Sequence, residues 1–74
     1  MVNPGIYKHY KTGNLYKVLG VAKHSETLED VVVYEALYEN NVSTLWVRPL
    51  KMFVEEVEWE GKKVKRFAYV TEKI

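Results

Sequence analysis

The sequence predicts an all-β protein, a small SH3-like barrel of about five or six strands with a short helical turn after Pro49. The 74 residues divide into short runs rich in Val, Tyr, Trp and Leu, which is the composition of strands. Turn-forming residues separate these runs, and no segment shows the periodicity that a helical bundle needs. An OB-type barrel usually needs a longer chain. We therefore expect residues 1–74 to form a single small β-barrel domain.

The first part of the chain predicts two strands joined by a tight turn. Residues 6–11 form the first strand, and Thr12, Gly13 and Asn14 supply the reversal because they suit turn conformations. Residues 15–23 form the second strand, whose two faces are both partly apolar, as expected for a strand that is partly buried on each side. Gly20 predicts a bulge or bend in it.

The middle of the chain predicts the most regular strand, residues 30–39. Asn40 and Asn41 mark the next turn, because Asn tolerates the left-handed region. Residues 44–48 form a short strand that ends at Pro49, which cannot donate to a ladder and is a good first residue for a helical turn. Alternation places four residues of the long strand on one face: Val32, Tyr34, Ala36 and Tyr38.

The last part of the chain predicts a hairpin with a turn at Gly61 and Lys62. The acidic residues before the turn are Glu56, Glu58 and Glu60, and the basic residues after it are Lys62, Lys63, Lys65 and Arg66. Residues 64–70 form the returning strand. Antiparallel pairing would bring opposite charges side by side, which contributes roughly a few tenths of a kcal/mol per pair.

The composition limits the classes of function. The net charge is +1, from 11 basic and 10 acidic residues, so we expect neither a DNA partner nor a membrane. The lack of cysteine excludes a disulfide framework and a thiolate zinc site, and it agrees with the cytoplasmic location that we expect. Residues 1–5 lack the features of a signal peptide, and no apolar run approaches the roughly 20 residues that span a bilayer.

The segment of residues 23–29 carries more chemistry than a hairpin connection requires. His24 and Glu26 lie two residues apart, but His9 is the only other imidazole, so the pattern is a weak indication of a metal site. Ser25 follows His24 directly, and adjacent residues of a strand point to opposite faces, which is poor geometry for activating a nucleophile. We therefore predict no catalytic residue, metal or cofactor. The plainest alternative is a solvated loop in which Glu26 or Glu29 neutralises Lys23.

Arg48 is the most informative single cation, because it lies in the otherwise apolar stretch of residues 45–50. A partly buried guanidinium needs a carboxylate partner, and Glu26 and Glu29 are the candidates. Such a pair could be structural or could belong to a ligand pocket. The sequence thus predicts a ligand-binding groove beside the polar loop, formed by His24, Glu26, Glu29, Tyr34, Trp46 and Arg48.

Three classes of function follow from these features. The leading hypothesis is a non-catalytic binding module that recognises a peptide, a protein surface or a small polar ligand through this groove. The alternative is an RNA-binding module that uses Tyr7, Lys8, Tyr10, Lys11 and the basic residues 62–66, because aromatic and basic side chains interleave there. The third, less favoured, is a small enzyme or metal-binding protein centred on His24 and Glu26. The oligomeric state is left open.

Three ordered segments cover nearly the whole chain, from Gly5 to Phe67: GIYKHYKTGNLYKVLGVAKHSETLEDVVVYEALY, LWVRPLKMF and EVEWEGKKVKRF. They resemble the domain-of-unknown-function 1653 family of small bacterial proteins. The resemblance is consistent with an SH3-like barrel and implies no established activity. Two positions depart from the family pattern: Thr12 interrupts a common Lys-Gly step, and Lys65 replaces a common Pro. The polar and aromatic positions that match the family pattern are Tyr7, His9, Tyr10, His24, Ser25, Glu26, Thr27, Glu29, Tyr34, Tyr38, Trp46 and Arg48.

Overall fold

The computed structural model, which describes residues 2–39 and 42–72, is a five-stranded antiparallel sheet with an added two-stranded hairpin. The strands of the sheet follow the order β4-β3-β2-β1-β7, and β5 pairs with β6. The elements in chain order are β1 (Gly5–His9), β2 (Leu15–Lys23), β3 (Asp30–Ala36), β4 (Leu45–Pro49), α1 (Leu50–Phe53), β5 (Glu56–Trp59), β6 (Lys62–Lys65) and β7 (Phe67–Thr71).

The predicted all-β class is confirmed, with differences in strand number and closure. The single strand expected over residues 64–70 is two strands, β6 and β7, which separate at Arg66. The Arg66 N–H donates to the Glu55 carbonyl oxygen, while the Arg66 carbonyl accepts from the Tyr10 N–H, so the chain changes partners there. The described part of the chain therefore forms seven strands rather than five or six. Within the described residues, neither sheet closes into a hydrogen-bonded barrel.

Gly13 and Gly20 act as the sequence predicts, the first in a turn and the second beside a bulge. Gly13 has a φ of 75°, and its N–H donates to the His9 carbonyl oxygen, which closes the turn between β1 and β2. The register between β2 and β3 shifts between Val18 and Gly20, which confirms a bulge beside the glycine. Leu19 is the extra residue. The turn predicted at Asn40 and Asn41 lies outside the described residues.

The core lies on the inner face of the sheet and is mostly aromatic. The helical turn predicted after Pro49 is confirmed as α1, and it carries Phe53 into the core, where its side chain is 1% exposed. Phe53 stacks face to face on Phe67, with ring centroids 4.3 Å apart and an interplanar angle of 3°. Val18, Val32, Tyr34, Tyr7 and Val2 complete the buried cluster. The candidate functional site lies against this core.

The final hairpin has the predicted pairing of acidic and basic residues. Glu56 lies opposite Lys65 and Glu58 lies opposite Lys63, so the charges alternate across β5 and β6. The turn itself is at Glu60 and Gly61, which both have positive φ values, one residue earlier than predicted. Among residues 2–39 and 42–72, no helix has the length and apolar character that crossing a membrane requires.

Candidate functional site

The polar loop between β2 and β3 uses its imidazole to hold its own backbone. His24 Nδ1 accepts hydrogen bonds from the N–H groups of Glu26 and Thr27, at 3.2 and 3.3 Å. The His24 carbonyl oxygen accepts from the Leu28 N–H at 2.9 Å, and Leu28 adopts a φ of 62°. These bonds close a single helical turn that ends in a left-handed residue. His24 is thus a capping residue of the loop, a role that its residue pattern did not predict.

A surface ion pair fastens the base of this loop. Lys23 Nζ lies 2.7 Å from an Asp30 carboxylate oxygen, across the last pair of the ladder between β2 and β3. The expectation that Glu26 or Glu29 neutralises Lys23 is therefore wrong. Both partners are largely exposed, so the pair contributes at most about 1 kcal/mol to stability. Cross-strand pairing favours Asp30 because it lies directly opposite Lys23.

A cleft of about 160 Å³ opens on the inner face of the sheet, next to its β4 edge. We call it the aromatic groove; it is lined by Tyr16, Tyr34, Tyr38, Trp46 and Arg48. Register explains its composition, because Trp46 lies opposite Tyr34 and Arg48 lies opposite Val32, which puts both side chains on the core face. The ring of Tyr16 makes edge-on contacts with Tyr34 and Tyr38, at 5.3 and 5.4 Å between centroids.

Arg48 is held in the aromatic groove by aromatic rings and without a carboxylate. Its guanidinium carbon lies 5.5 Å from the centroid of the Phe67 ring, and Nε makes a long hydrogen bond of 3.4 Å to the Tyr34 hydroxyl oxygen. The ion pairs of the described residues join Lys23 to Asp30 and Arg66 to Glu55. The predicted pairing of Arg48 with Glu26 or Glu29 is therefore wrong, because neighbouring aromatic rings take the place of the carboxylate.

The six residues predicted as one site divide into two groups. Tyr34, Trp46 and Arg48 meet in the aromatic groove, whereas His24 and Glu26 lie in the loop beyond the end of the ladder. The other three members of the predicted groove do not reach it. Tyr34 is four residues along β3 from the base of the loop, or about 13 Å at the usual strand rise. Glu29 lines a different depression, together with Leu28, Asp30, Leu50 and Lys51.

Two residues of the aromatic groove were not predicted as site residues. Tyr38 shares a face with Tyr34 by simple alternation, so the sequence carried a signal for it. Tyr16 is brought in by pairing, because it lies opposite Ala36, the neighbour of Tyr34 on the same face. The Tyr16 and Tyr38 hydroxyl oxygens are 2.9 Å apart and share a hydrogen bond. This bond ties the segment that follows β3 to β2, and the two tyrosines form the second wall of the groove.

A known family shares the whole of this arrangement of strands. The family model described as Protein of unknown function (DUF1653) matches residues 5–69. The chain belongs to the DUF1653 family. A crystal structure of a DUF1653 protein from Bordetella bronchiseptica is 40% identical, with a TM-score of 0.91 over 99% of this chain and 92% of that chain. None of the curated proteins matches the sequence. The predicted resemblance is thus confirmed, and the family description names no ligand.

A second depression, of about 270 Å³, lies between β1 and the β5–β6 hairpin of this DUF1653 chain. Tyr10 and Trp59 form its aromatic part, with an edge-on contact of 5.4 Å, and the exposed residues Lys8 and Lys65 lie at it. This surface includes part of the predicted RNA-binding face. Tyr7 does not contribute, because its side chain is only 7% exposed and its hydroxyl donates to the Asn3 carbonyl oxygen.

The described residues of this family member contain no group of three or more His, Asp or Glu side chains placed to hold a metal ion. The two imidazoles lie on separate elements, and each accepts a backbone hydrogen bond at Nδ1. His9 accepts from the Lys11 N–H at 3.2 Å, as His24 does within its loop. The hypothesis of a small enzyme or metal-binding protein needs His24 and Glu26 to act together. His24 already accepts backbone hydrogen bonds of this loop, and the Glu26 side chain is exposed to solvent.

His9 should make the stability of this DUF1653 chain depend on pH near neutrality. Burial lowers the pKa of His9 from 6.5, and the cations Arg48, Arg66 and Lys11 lower it further. The unfolded chain then binds a proton at a higher pH than the folded one, so stability falls as the pH drops below the unfolded value toward the folded value. In urea titrations from about pH 7.5 to about pH 5.5, His9→Gln should lose less stability than the wild type. Parallel losses in the two proteins would contradict this account.

Tyr16 should be the last tyrosine, or among the last, to ionise. Burial, with the Tyr38 hydrogen bond, raises the pKa of Tyr16 to about 12, and burial also raises the pKa of Tyr7. Stability contributed by neutral Tyr16 is therefore present below pH 10 and is lost as the pH rises toward 12. In an alkaline absorbance titration, Tyr16→Phe should remove a late component, and Tyr38→Phe should shift one to lower pH. If neither variant changes the late part of the curve, the Tyr16–Tyr38 bond is not formed in solution.

Proposed function

We propose that this chain is a non-catalytic binding module, whose aromatic groove recognises an extended peptide segment that carries a carboxylate. One observation carries the proposal: Arg48 lies among four aromatic side chains without an acidic partner in the described structure. A guanidinium on an apolar surface attracts a carboxylate strongly and can bind it through two parallel hydrogen bonds. A ligand would thus supply the partner that the fold itself does not.

The size of the aromatic groove favours a peptide over a small polar ligand. Pockets that enclose small molecules usually hold about 300–1,000 Å³. The groove offers about 160 Å³, which suits one or two side chains of a longer segment. Tyr and Trp supply rigid, flat contact area, which is the usual basis of peptide and protein recognition.

We keep the cytoplasm as the expected location, on the absence of cysteine.

An RNA-binding role receives less support from the same surfaces. The depression beside Tyr10 and Trp59 does combine rings with lysines, which favours stacking of single-stranded bases. However, Lys63 and Lys65 lie opposite Glu58 and Glu56, and these carboxylates reduce the attraction for phosphate. Arg66, the last basic residue of that face, is 2.6 Å from a Glu55 carboxylate oxygen. We therefore keep RNA binding as the second candidate.

The test of the peptide proposal is binding to an array of short peptides that vary in charge and aromatic content. Arg48→Gln should lower the affinity of the best peptides by about tenfold or more, because it removes charge-assisted hydrogen bonds. The matched control is Lys63→Gln, which removes an exposed positive charge on the hairpin and should leave affinity nearly unchanged. Equal losses in both variants would indicate nonspecific charge attraction. Binding that survives Arg48→Gln would contradict the proposal.

A further inference from the structure

We propose that the peptide binds as an additional antiparallel strand beside β4, so that its side chains alternate between the aromatic groove and the outer face of the sheet. This inference rests on the proposed peptide-binding function and adds the geometry of binding. It also yields the pattern of residues that the ligand should carry. Strand addition is supported by the hydrogen-bonding groups of β4, by the exposed side chains of that strand and by the position of Arg48.

The hydrogen bonds of β3 determine which groups of β4 point away from the sheet. The Ala36 N–H donates to the Thr44 carbonyl oxygen at 2.8 Å, and Tyr34 lies opposite Trp46 two residues later. Because bonded and non-bonded pairs alternate in an antiparallel ladder, the main-chain groups of Trp46 and Arg48 turn toward β3, and those of Leu45 and Val47 turn outward.

The outward groups form a short docking edge. Both main-chain groups of Val47 are directed outward, as is the Leu45 N–H, whereas the Leu45 carbonyl oxygen accepts from the Ser43 hydroxyl at 2.8 Å. Pro49 takes the next outward position, where a missing N–H costs the native ladder nothing. A ligand residue opposite Val47 would therefore form two backbone hydrogen bonds, and the Leu45 N–H offers a third.

The β4 edge carries only part of the protection that exposed strands usually have. Its ladder with β3 runs without a register shift, and its two outer side chains are apolar: Leu45 is 56% exposed and Val47 is 63% exposed. Edge strands are commonly protected by short length, bulges, lysines, prolines or charges that point inward. Of these, β4 has its five-residue length, Pro49 at its end and the inward-facing Arg48, and it has neither a bulge nor a lysine. Arg48 is the one charge of β4, and it lies in a groove that suits a ligand carboxylate. The charge complementarity thus identifies the occupant as an acidic peptide.

The antiparallel register gives the expected sequence of the ligand. Its central residue faces Val47 on the outer face and should be β-branched or otherwise apolar. The preceding ligand residue lies opposite Arg48 and should be acidic. The following residue lies opposite Trp46 and should carry an apolar ring. The expected order is therefore acidic, β-branched, ring-bearing.

A second copy of this chain fits the same edge less well. The strand could pair with itself about Val47, which would place Trp46 beside the partner copy's arginine. A standard interface buries about 800 Å² per partner, and a strand of five residues provides only part of that. Such a dimer would also leave Arg48 without a carboxylate. We therefore assign the edge to the acidic peptide, and self-association becomes an outcome of the test.

The experiment uses peptides from the array that carry this pattern, with a methyl group on one backbone nitrogen at a time. Methylation of the residue opposite Val47 removes a donor to β4 and should lower affinity about tenfold. Methylation of the next residue, whose N–H points away from β4, should have little effect. Val47→Pro removes the protein's own donor and should lower affinity similarly, with its fold checked by amide NMR spectra. The methylated peptides keep the test valid if that variant does not fold.

The outcomes separate this inference from the proposed function. If affinity falls on methylation opposite Val47 and not on methylation of the next residue, and also falls in Arg48→Gln, both the peptide-binding function and strand addition are supported. Loss in Arg48→Gln with no effect of methylation at either position overturns strand addition and leaves the peptide-binding groove. Absence of binding by every peptide overturns both proposals. A dimer that sedimentation detects in the wild type and not in Val47→Pro would assign the edge to a second copy and overturn the peptide assignment.

Discussion

Replacing Phe67 with alanine is expected to lower the free energy of unfolding by about 3–5 kcal/mol, the largest effect of any single substitution considered. The Phe67 side chain is 4% exposed and stacks on Phe53 at 4.3 Å. It also contacts the rings of His9 and Tyr16, and it lies beneath the guanidinium of Arg48. Removing it would leave a cavity among rings that cannot collapse to fill it. Urea unfolding followed by tryptophan fluorescence measures the loss.

Controls for this substitution come from the same strand and the same site. Val70→Ala on β7, where the side chain is 52% exposed, should change stability by less than about 0.5 kcal/mol. Domains of this size have only a few kcal/mol to lose, so Phe67→Leu provides a milder second variant. It should retain much of the buried volume and fold with intermediate stability. A loss below about 1 kcal/mol in Phe67→Ala would show that the stacked pair is not the centre of the core.

Replacing Gly5 with alanine should be nearly as damaging, for a reason that lies in the backbone. Gly5 has a φ of 148°, which side-chain-bearing residues rarely adopt. An added Cβ would lie 2.8 Å from the Thr71 carbonyl oxygen and 2.9 Å from Tyr69 Cε1. The first of these is main chain of β7 and cannot move without disturbing its pairing with β1. We expect a loss of about 2–4 kcal/mol, measured by urea unfolding.

The matched control is Gly20→Ala in β2. A Cβ at Gly20 would meet no atom within 4 Å, and its φ is not positive. This substitution should be neutral or stabilising by up to about 1 kcal/mol, because alanine restricts the unfolded chain more than glycine does. If the two variants lose the same stability, the close approach of β7 to Gly5 is not present in solution.

The strands were predictable where each strand's own residues decide its position. The second strand was predicted over residues 15–23, and β2 is Leu15–Lys23. The turn residues before this strand and Gly20 within it shape the backbone at their own positions, so neighbouring sequence is enough to predict the turn and the bulge. Likewise, β4 ends at Pro49 and α1 begins at the next residue, because the proline ring fixes φ and removes the N–H that a longer strand would use.

The division of the last strand was not predictable from local patterns. The pattern of residues 64–70 predicted one continuous strand, yet Arg66 pairs with Glu55 and with Tyr10, which lie outside that segment. Those hydrogen bonds exist only once the hairpin is placed against β1. The hydrogen-bonded barrel closure that the sequence suggested depends on the same long-range pairing, and alternation in a single strand carries no information about it.

The candidate site was predictable in part. Alternation placed Tyr34 on the core face, and the short strand after it placed Trp46 and Arg48 together. The loop residues were joined to them because a carboxylate was needed for Arg48. The structure shows instead that Phe67 lies beneath the guanidinium, a contact from a strand nineteen positions later in the chain. The capping role of His24 was also hidden, because it requires the loop to fold into a helical turn.

The most direct test of the central claim is the response of the two tryptophan indole N–H signals in NMR spectra. Trp46 lines the aromatic groove, where its indole N–H donates to the Ser43 carbonyl oxygen at 3.0 Å, and Trp59 lies on the separate hairpin. Titration with acidic peptides of the proposed pattern should shift the Trp46 signal and leave the Trp59 signal in place. A shift of Trp59 alone would place the binding surface on the hairpin side of the molecule and contradict the account, as would two unmoved signals.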